Sequence, residues 1–200
     1  RDLSKEKQHA RFLLESGKID ESLAAYKLIE DKAEEPLEKL AIKANILVGL
    51  IVSGDLGKAS ERHAELGQKL NQISASLRLE DNNSISYFMA RNSYLLSSQA
   101  IAILTRNFSK LKNSTYLLEK DALTMEGTRA SSLDYARLNN LSGQILKGED
   151  WSAGTSRTAY SSLIESGGYL DFGNSFNADT TALINLENWL KAIELRKHMA

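Results

Sequence analysis

Apolar residues recur at i, i+3, i+4 and i+7 along most of the chain, the spacing of an amphipathic helix. The clearest run is Leu37, Leu40, Ala41, Ala44, Leu47, Val48 and Ile51. Pro36 opens it, where proline is tolerated in a first turn, and Ser53-Gly54-Asp55 closes it. Upstream, Ala10, Leu13 and Leu14 share one face of a helix over 5–16, with Ser4 as its expected cap. Gly17-Lys18 breaks that pattern, and a helix restarting near Asp20 turns Leu23, Tyr26, Ile29 and Ala33 inward. Leu56, Ala59, Leu66, Leu70, Ile73 and Leu77 mark the next helix.

After the polar break Glu80–Ser84, with Ser84 as an expected cap, Tyr87, Phe88, Tyr94, Leu95, Ile101 and Ala102 predict a helix over about 85–105. Phe108, Leu111, Thr115 and Leu118 follow the turn at Arg106-Asn107. Leu133, Ala136, Leu141 and Ile145 make a helix ending at Gly148, and Trp151–Ile164 reads as its partner. Residues 167–179 read as a long loop because of their glycines and asparagines, and Leu183, Leu186, Leu190 and Ile193 line a last helix. The fold class is therefore all-α, in one domain over 1–200. Its antiparallel hairpins span about 3–34, 36–78, 85–125 and 130–166, followed by a loop at 167–179 and a capping helix at 180–198.

Helices in pairs prompt a search for repeats. Gly17-Lys18-Ile19-Asp20-Glu21-Ser22-Leu23 aligns with Gly54-Asp55-Leu56-Gly57-Lys58-Ala59-Ser60 at an offset of 37. Gly148-Glu149-Asp150-Trp151-Ser152-Ala153 is a similar turn. On these residues the chain resembles the tetratricopeptide repeat family, which places a small residue on the first helix, glycine near the turn, and a small residue then an aromatic on the second. Ala10, Leu13, Gly17, Ser22 and Tyr26 match in the first hairpin; Leu50, Gly54, Ala59 and Leu66 match in the second, where His63 takes an aromatic position. The third pair lacks the turn glycine, and the fourth keeps Gly148, Ala153 and Tyr160. The resemblance implies hairpins stacked as a right-handed superhelix, with small residues such as Ser22 and Ala59 letting backbones approach. It also implies an inner wall that holds a partner's peptide, with Lys7, Arg11, Asn45 and Arg91 as a polar groove.

Composition agrees with the pattern. One proline in 200 residues, against about ten at average usage, favours long helices joined by short turns. With no cysteine, disulfides, thiolate metal sites and a cysteine nucleophile are excluded, which suits cytoplasm and periplasm alike. A net charge of −1 lacks the basic field that nucleic-acid binding uses, so no nucleic-acid contact is expected. The apolar run 44–52 is too short to cross a bilayer. A start at Arg1 without a signal-peptide pattern reads as a mature chain or an excised domain.

Candidate chemistry is sparse. His9, His63 and His198 stand far apart, Glu6-x-x-His9 has no second unit to complete a metal site, and Glu194/His198 reads as an exposed pair. No phosphate loop, nucleophile elbow or zinc-protease motif occurs. The expectation is no catalysis, no metal and no cofactor. Tyr169, Phe172 and Phe176 in the expected loop are the remaining partner-binding candidates, set either against the last helix with Trp189 or outward. The predicted function is a non-catalytic protein-interaction scaffold that receives a peptide or helix on its concave face. The alternative is a sensory or regulatory domain of a larger receptor or transcriptional regulator that binds a small ligand or peptide.

Overall fold

In the computed structural model, residues 2–76, 82–124, 136–148, 154–173 and 187–195 are described. They form α1 (Ser4–Glu15), α2 (Ile19–Lys32), α3 (Pro36–Ser53), α4 (Leu56–Ser74), α5 (Asn82–Thr105), α6 (Phe108–Thr124), α7 (Ala136–Leu146) and α8 (Gly154–Phe172). A last helix, α9, covers 187–195. There is no strand among the described residues.

The helix ends follow local chemistry. Ser4 is the first residue of α1 rather than its cap; Asp2 reaches forward instead and accepts from the Ser4 backbone N–H at 2.9 Å. Pro36 does open α3, and Glu35 caps it by accepting from the N–H groups of Leu37 and Glu38 at 3.2 and 2.8 Å. Those donors have no partner inside the helix. Replacing Glu35 by alanine is therefore expected to lower stability by about 1 kcal/mol, read as a drop of about 2–4 °C in thermal midpoint. Gly54 ends α3 in the left-handed region (φ 85°), and Asp55 caps α4 through the Lys58 N–H. Helix α5 begins at Asn82, two residues before the expected Ser84 cap.

Pairing follows the predicted order. α1/α2, α3/α4 and α5/α6 are antiparallel neighbours, and the second helix of each pair also rests on the first helix of the next. The expected small residues are enclosed: Ser22 is buried with its hydroxyl donating to the Ala10 carbonyl of α1 at 2.7 Å, and Ala59 is fully buried. His63 stacks on Tyr94 with ring centres 4.1 Å apart, so it fills the aromatic position between α4 and α5. Burial first, and Lys110 second, push its pKa down to about 4, and it is neutral at physiological pH. Glu30 of α2 joins Lys43 of α3 and Arg62 of α4 at 3.2 and 2.9 Å. Burial alone would raise the Glu30 pKa, but these two partners hold it below the usual carboxylate range.

The fourth pair departs from the prediction. Residues 167–172, expected as loop, continue α8 without a break. Only 174–179 of that stretch lie outside the described residues. Glycine and asparagine argue for a loop only when nothing packs on the segment, and here α8 is enclosed. It lies across α1, α3, α5 and α7, the first helix of each pair. This covering explains a second difference. The spacing in α3 predicts one buried stripe, yet every residue from Ala44 to Val52 is buried. A helix is buried all round only when neighbours surround it, and α2, α4, α5 and α8 do so. In α8 itself every residue from Ala159 to Gly168 is buried.

Of the expected helix at 180–198, residues 187–195 are described and helical. Its described part runs along Gly17, the α1–α2 turn, where a Cβ would lie 3.0 Å from the Asn188 carbonyl oxygen and 3.4 Å from Ala192 Cβ. Trp189 and Ile193 are its buried residues. It therefore sits against the first hairpin's turn, and it also meets α8 of the last pair, where Arg157 lies 3.8 Å from Glu187.

Candidate functional site

The face formed by α1, α3 and α5 is where the sequence places a binding groove, and the C-terminal half of α8 sits on it. Four elements contribute one polar group each. From α1, the buried Arg11 donates through Nη1 to the Ile164 carbonyl at 2.5 Å, and through Nε to Glu15 at 2.8 Å. From α3, the buried Asn45 donates through Nδ2 to the Gly167 carbonyl at 3.2 Å and to Asp171 Oδ1 at 2.9 Å. From α2, Tyr26 is 2 % exposed and sends its hydroxyl to Asp171 Oδ2 at 2.7 Å. Asp171, in the last turn of α8, thus uses both carboxylate oxygens.

Backbone carbonyls in mid-helix are normally committed to their own helix. Arg11 and Asn45 use the second lone pair of two such carbonyls, which fixes both the depth and the rotation of α8. Depth is also set by Gly167, because a Cβ there would lie 2.2 Å from Asn45 Oδ1. The electrostatics follow from burial. Asp171 is partly exposed as a residue, but its carboxyl group faces inward and is enclosed, which raises its pKa to about 6. The Tyr26 hydroxyl, the Arg11 and Lys7 charges and the Asn45 amide oppose that rise without cancelling it. The Tyr26 phenol is itself pushed up, first by burial and then by the Asp171 charge.

The predicted groove residues are brought together only in part. Arg11 and Asn45 converge beneath α8. Lys7 stands at the edge, paired with Glu38 of α3 at 3.1 Å. Arg91 does not join them; it pairs with Asp121 of α6 at 2.5 Å. Tyr169 and Phe172 lie on helix α8 rather than in a loop, and Phe176 lies outside the described residues. Sequence reasoning missed Asp171 and Gly167. The available signal was their i, i+4 spacing, which puts them on one helical face once 167–172 is read as helix.

Beside this cluster an open cleft of about 300 Å³ remains between Lys7, Leu37, Glu38, Ala41, Ser86, Met89 and Leu170. A larger one, about 670 Å³, lies between the α1–α2 and α3–α4 turns and the end of α9. No aromatic side chain among the described residues lines either. No group of three or more metal-ligating side chains occurs among the described residues, and none of the described helices is long and apolar enough to cross a membrane.

Comparison with known proteins gives one informative match. The chain is 36 % identical over 64 residues to a putative pentatricopeptide repeat-containing protein of Arabidopsis thaliana. The match covers 32 % of this chain and 6 % of that protein. No family model matches, and no solved structure matches. This similarity and the all-helical architecture fit a helical repeat protein.

Proposed function

We propose that the chain is a non-catalytic interaction scaffold of the helical-repeat kind, whose α1/α3/α5 face receives a helix. One observation carries the reading: a helix, α8, already lies on that face, oriented by side chains from three others. The cluster beneath it contains ionisable groups, but they are spent on holding a helix, and the cleft beside them among the described residues is open. That arrangement supports binding over catalysis. Because the occupant belongs to the same chain, the face is regulated in cis, which also accommodates a regulatory domain. The cleft beside Leu170 is the part of the face that stays open.

The test is selection of 20-residue helical peptides on the full chain, followed by measurement on Lys7→Glu and Met89→Arg. Both positions line the open cleft, and neither is among the fully buried residues. Peptides that bind in the micromolar range and weaken at least tenfold on these variants are expected. Binders indifferent to both would contradict the reading. Pentatricopeptide repeats as a class read single-stranded RNA one base per helical repeat, so a labelled single-stranded RNA belongs in the same assay. With a net charge of −1, no saturable RNA binding is expected at physiological salt.

A further inference from the structure

Helix α8 is rich in weak helix formers. Nine of its nineteen residues are glycine, serine or threonine, including the adjacent pair Gly167-Gly168. Such a segment is a poor helix former in isolation, and its helicity comes from the surface it lies on. Its fit to that surface is specific. The glycine at 167 lets the helix sit against Asn45, two of its carbonyls receive Arg11 and Asn45, and the carboxylate four residues later is held by Tyr26 and Asn45. The cleft of about 300 Å³ adjoins this end at Leu170, so an incoming helix has a place to start.

Building on the proposed helix-receiving face, we infer that α8 is a cis occupant standing in for a partner helix, and that the face selects partners carrying a Gly-Gly-x-x-Asp pattern or its chemical equivalent. The required features are a missing side chain where the partner crosses α3 and a carboxylate one turn further on. An apolar helix lacking the carboxylate would leave the Tyr26 hydroxyl and one of the two Asn45 amide N–H groups buried without an acceptor, so it is discriminated against. Tethering gives α8 a high effective concentration at the face, which keeps a free partner weak until the tethered copy is loosened.

The experiment uses the full chain and a fluorescently labelled synthetic peptide of residues 154–173, read by anisotropy. The Asp171→Ala chain, whose own α8 has lost its carboxylate anchor, is expected to bind the wild-type peptide at least tenfold more tightly than the unmodified chain does. A peptide carrying Asp171→Ala is expected to bind that same chain at least tenfold more weakly than the wild-type peptide. No saturable binding to an Asp171→Ala chain with native far-ultraviolet circular dichroism would overturn the inference. So would equal binding of the two peptides. If that chain does not fold, the unmodified chain decides with the same two peptides at concentrations up to about 1 mM, the range of a tethered competitor. There a tenfold preference for the carboxylate peptide is expected, and equal or absent binding overturns the inference. The peptide selection separates the two levels: selected peptides that bind the cleft but lack the glycine and carboxylate pattern would retain the receiving face and remove this ligand class.

Discussion

Replacing Gly167 by alanine is expected to lower the unfolding free energy by about 2–4 kcal/mol, although alanine is the better helix former by about 1 kcal/mol. The reason is local. The new Cβ would lie 2.2 Å from Asn45 Oδ1 and 3.4 Å from Arg11 Nη1, and both side chains are buried. Either α8 moves out, or Asn45 turns away and gives up its bonds to the Gly167 carbonyl and to Asp171. Both responses leave buried polar groups without partners. Gly143 of α7 is the internal control, because a Cβ there meets nothing within 4 Å. Gly143→Ala is expected to stabilise by about 0.5–1 kcal/mol. Chemical denaturation of the two variants reads the contrast directly: opposite signs are expected, and equal effects would contradict the close crossing at Gly167.

The second large effect is on pH dependence. The Asp171 pKa is about 6 when folded against 3.8 ordinarily, so the folded chain holds this proton more tightly than the unfolded chain. This group's contribution to stability is therefore fully present below about pH 4 and is lost as pH rises through about 6. A shift of about two units corresponds to at most about 3 kcal/mol. The groups that face this carboxyl are Tyr26 from α2, Asn45 from α3, and Arg11 and Lys7 from α1, with Glu15 close to Tyr26. Of these, the Tyr26 phenol is pushed well above its ordinary range and stays protonated across the window. Asp171→Asn removes the titration while keeping an acceptor for the Tyr26 hydroxyl. The stability difference between variant and parent is then expected to move in the variant's favour by about 2 kcal/mol from pH 4.5 to pH 7.5. A difference that does not change with pH would show that this carboxyl is solvated.

Much of the fold was legible in the sequence, because helix existence depends on spacing that lies within one segment. The turn glycines, the Pro36 start and the hairpin order 1–2, 3–4, 5–6 all come from such local signals. The small residues Ser22 and Ala59 are both buried between helices. What was not legible depends on contacts distant in sequence. α3 reads as a one-sided helix because nothing in 36–53 announces that α8, more than a hundred residues later, will cover its other face. The same absence of context made Gly167–Phe172 read as loop. Gly-Gly argues against helix on its own, and only the Asn45 side chain shows why glycine is needed there. Arg11 and Asn45 were picked out as groove residues for a partner, and they do hold a helix, but one from their own chain. Lys7 stands at the rim of the same face, and nothing near Arg91 in the sequence announces that it pairs with Asp121 on the hairpin's second helix.

The contact between Asp171 and Tyr26 joins the end of α8 to the face it covers. A double-mutant cycle on Tyr26→Phe and Asp171→Ala, read by chemical denaturation at pH 7, isolates that contact from the cost of each change alone. Groups bonded at 2.7 Å are expected to show a coupling free energy of about 1 kcal/mol or more. Effects that add to within about 0.3 kcal/mol would mean that α8 is not held there, and the reading of it as the occupant of a helix-receiving face would fall.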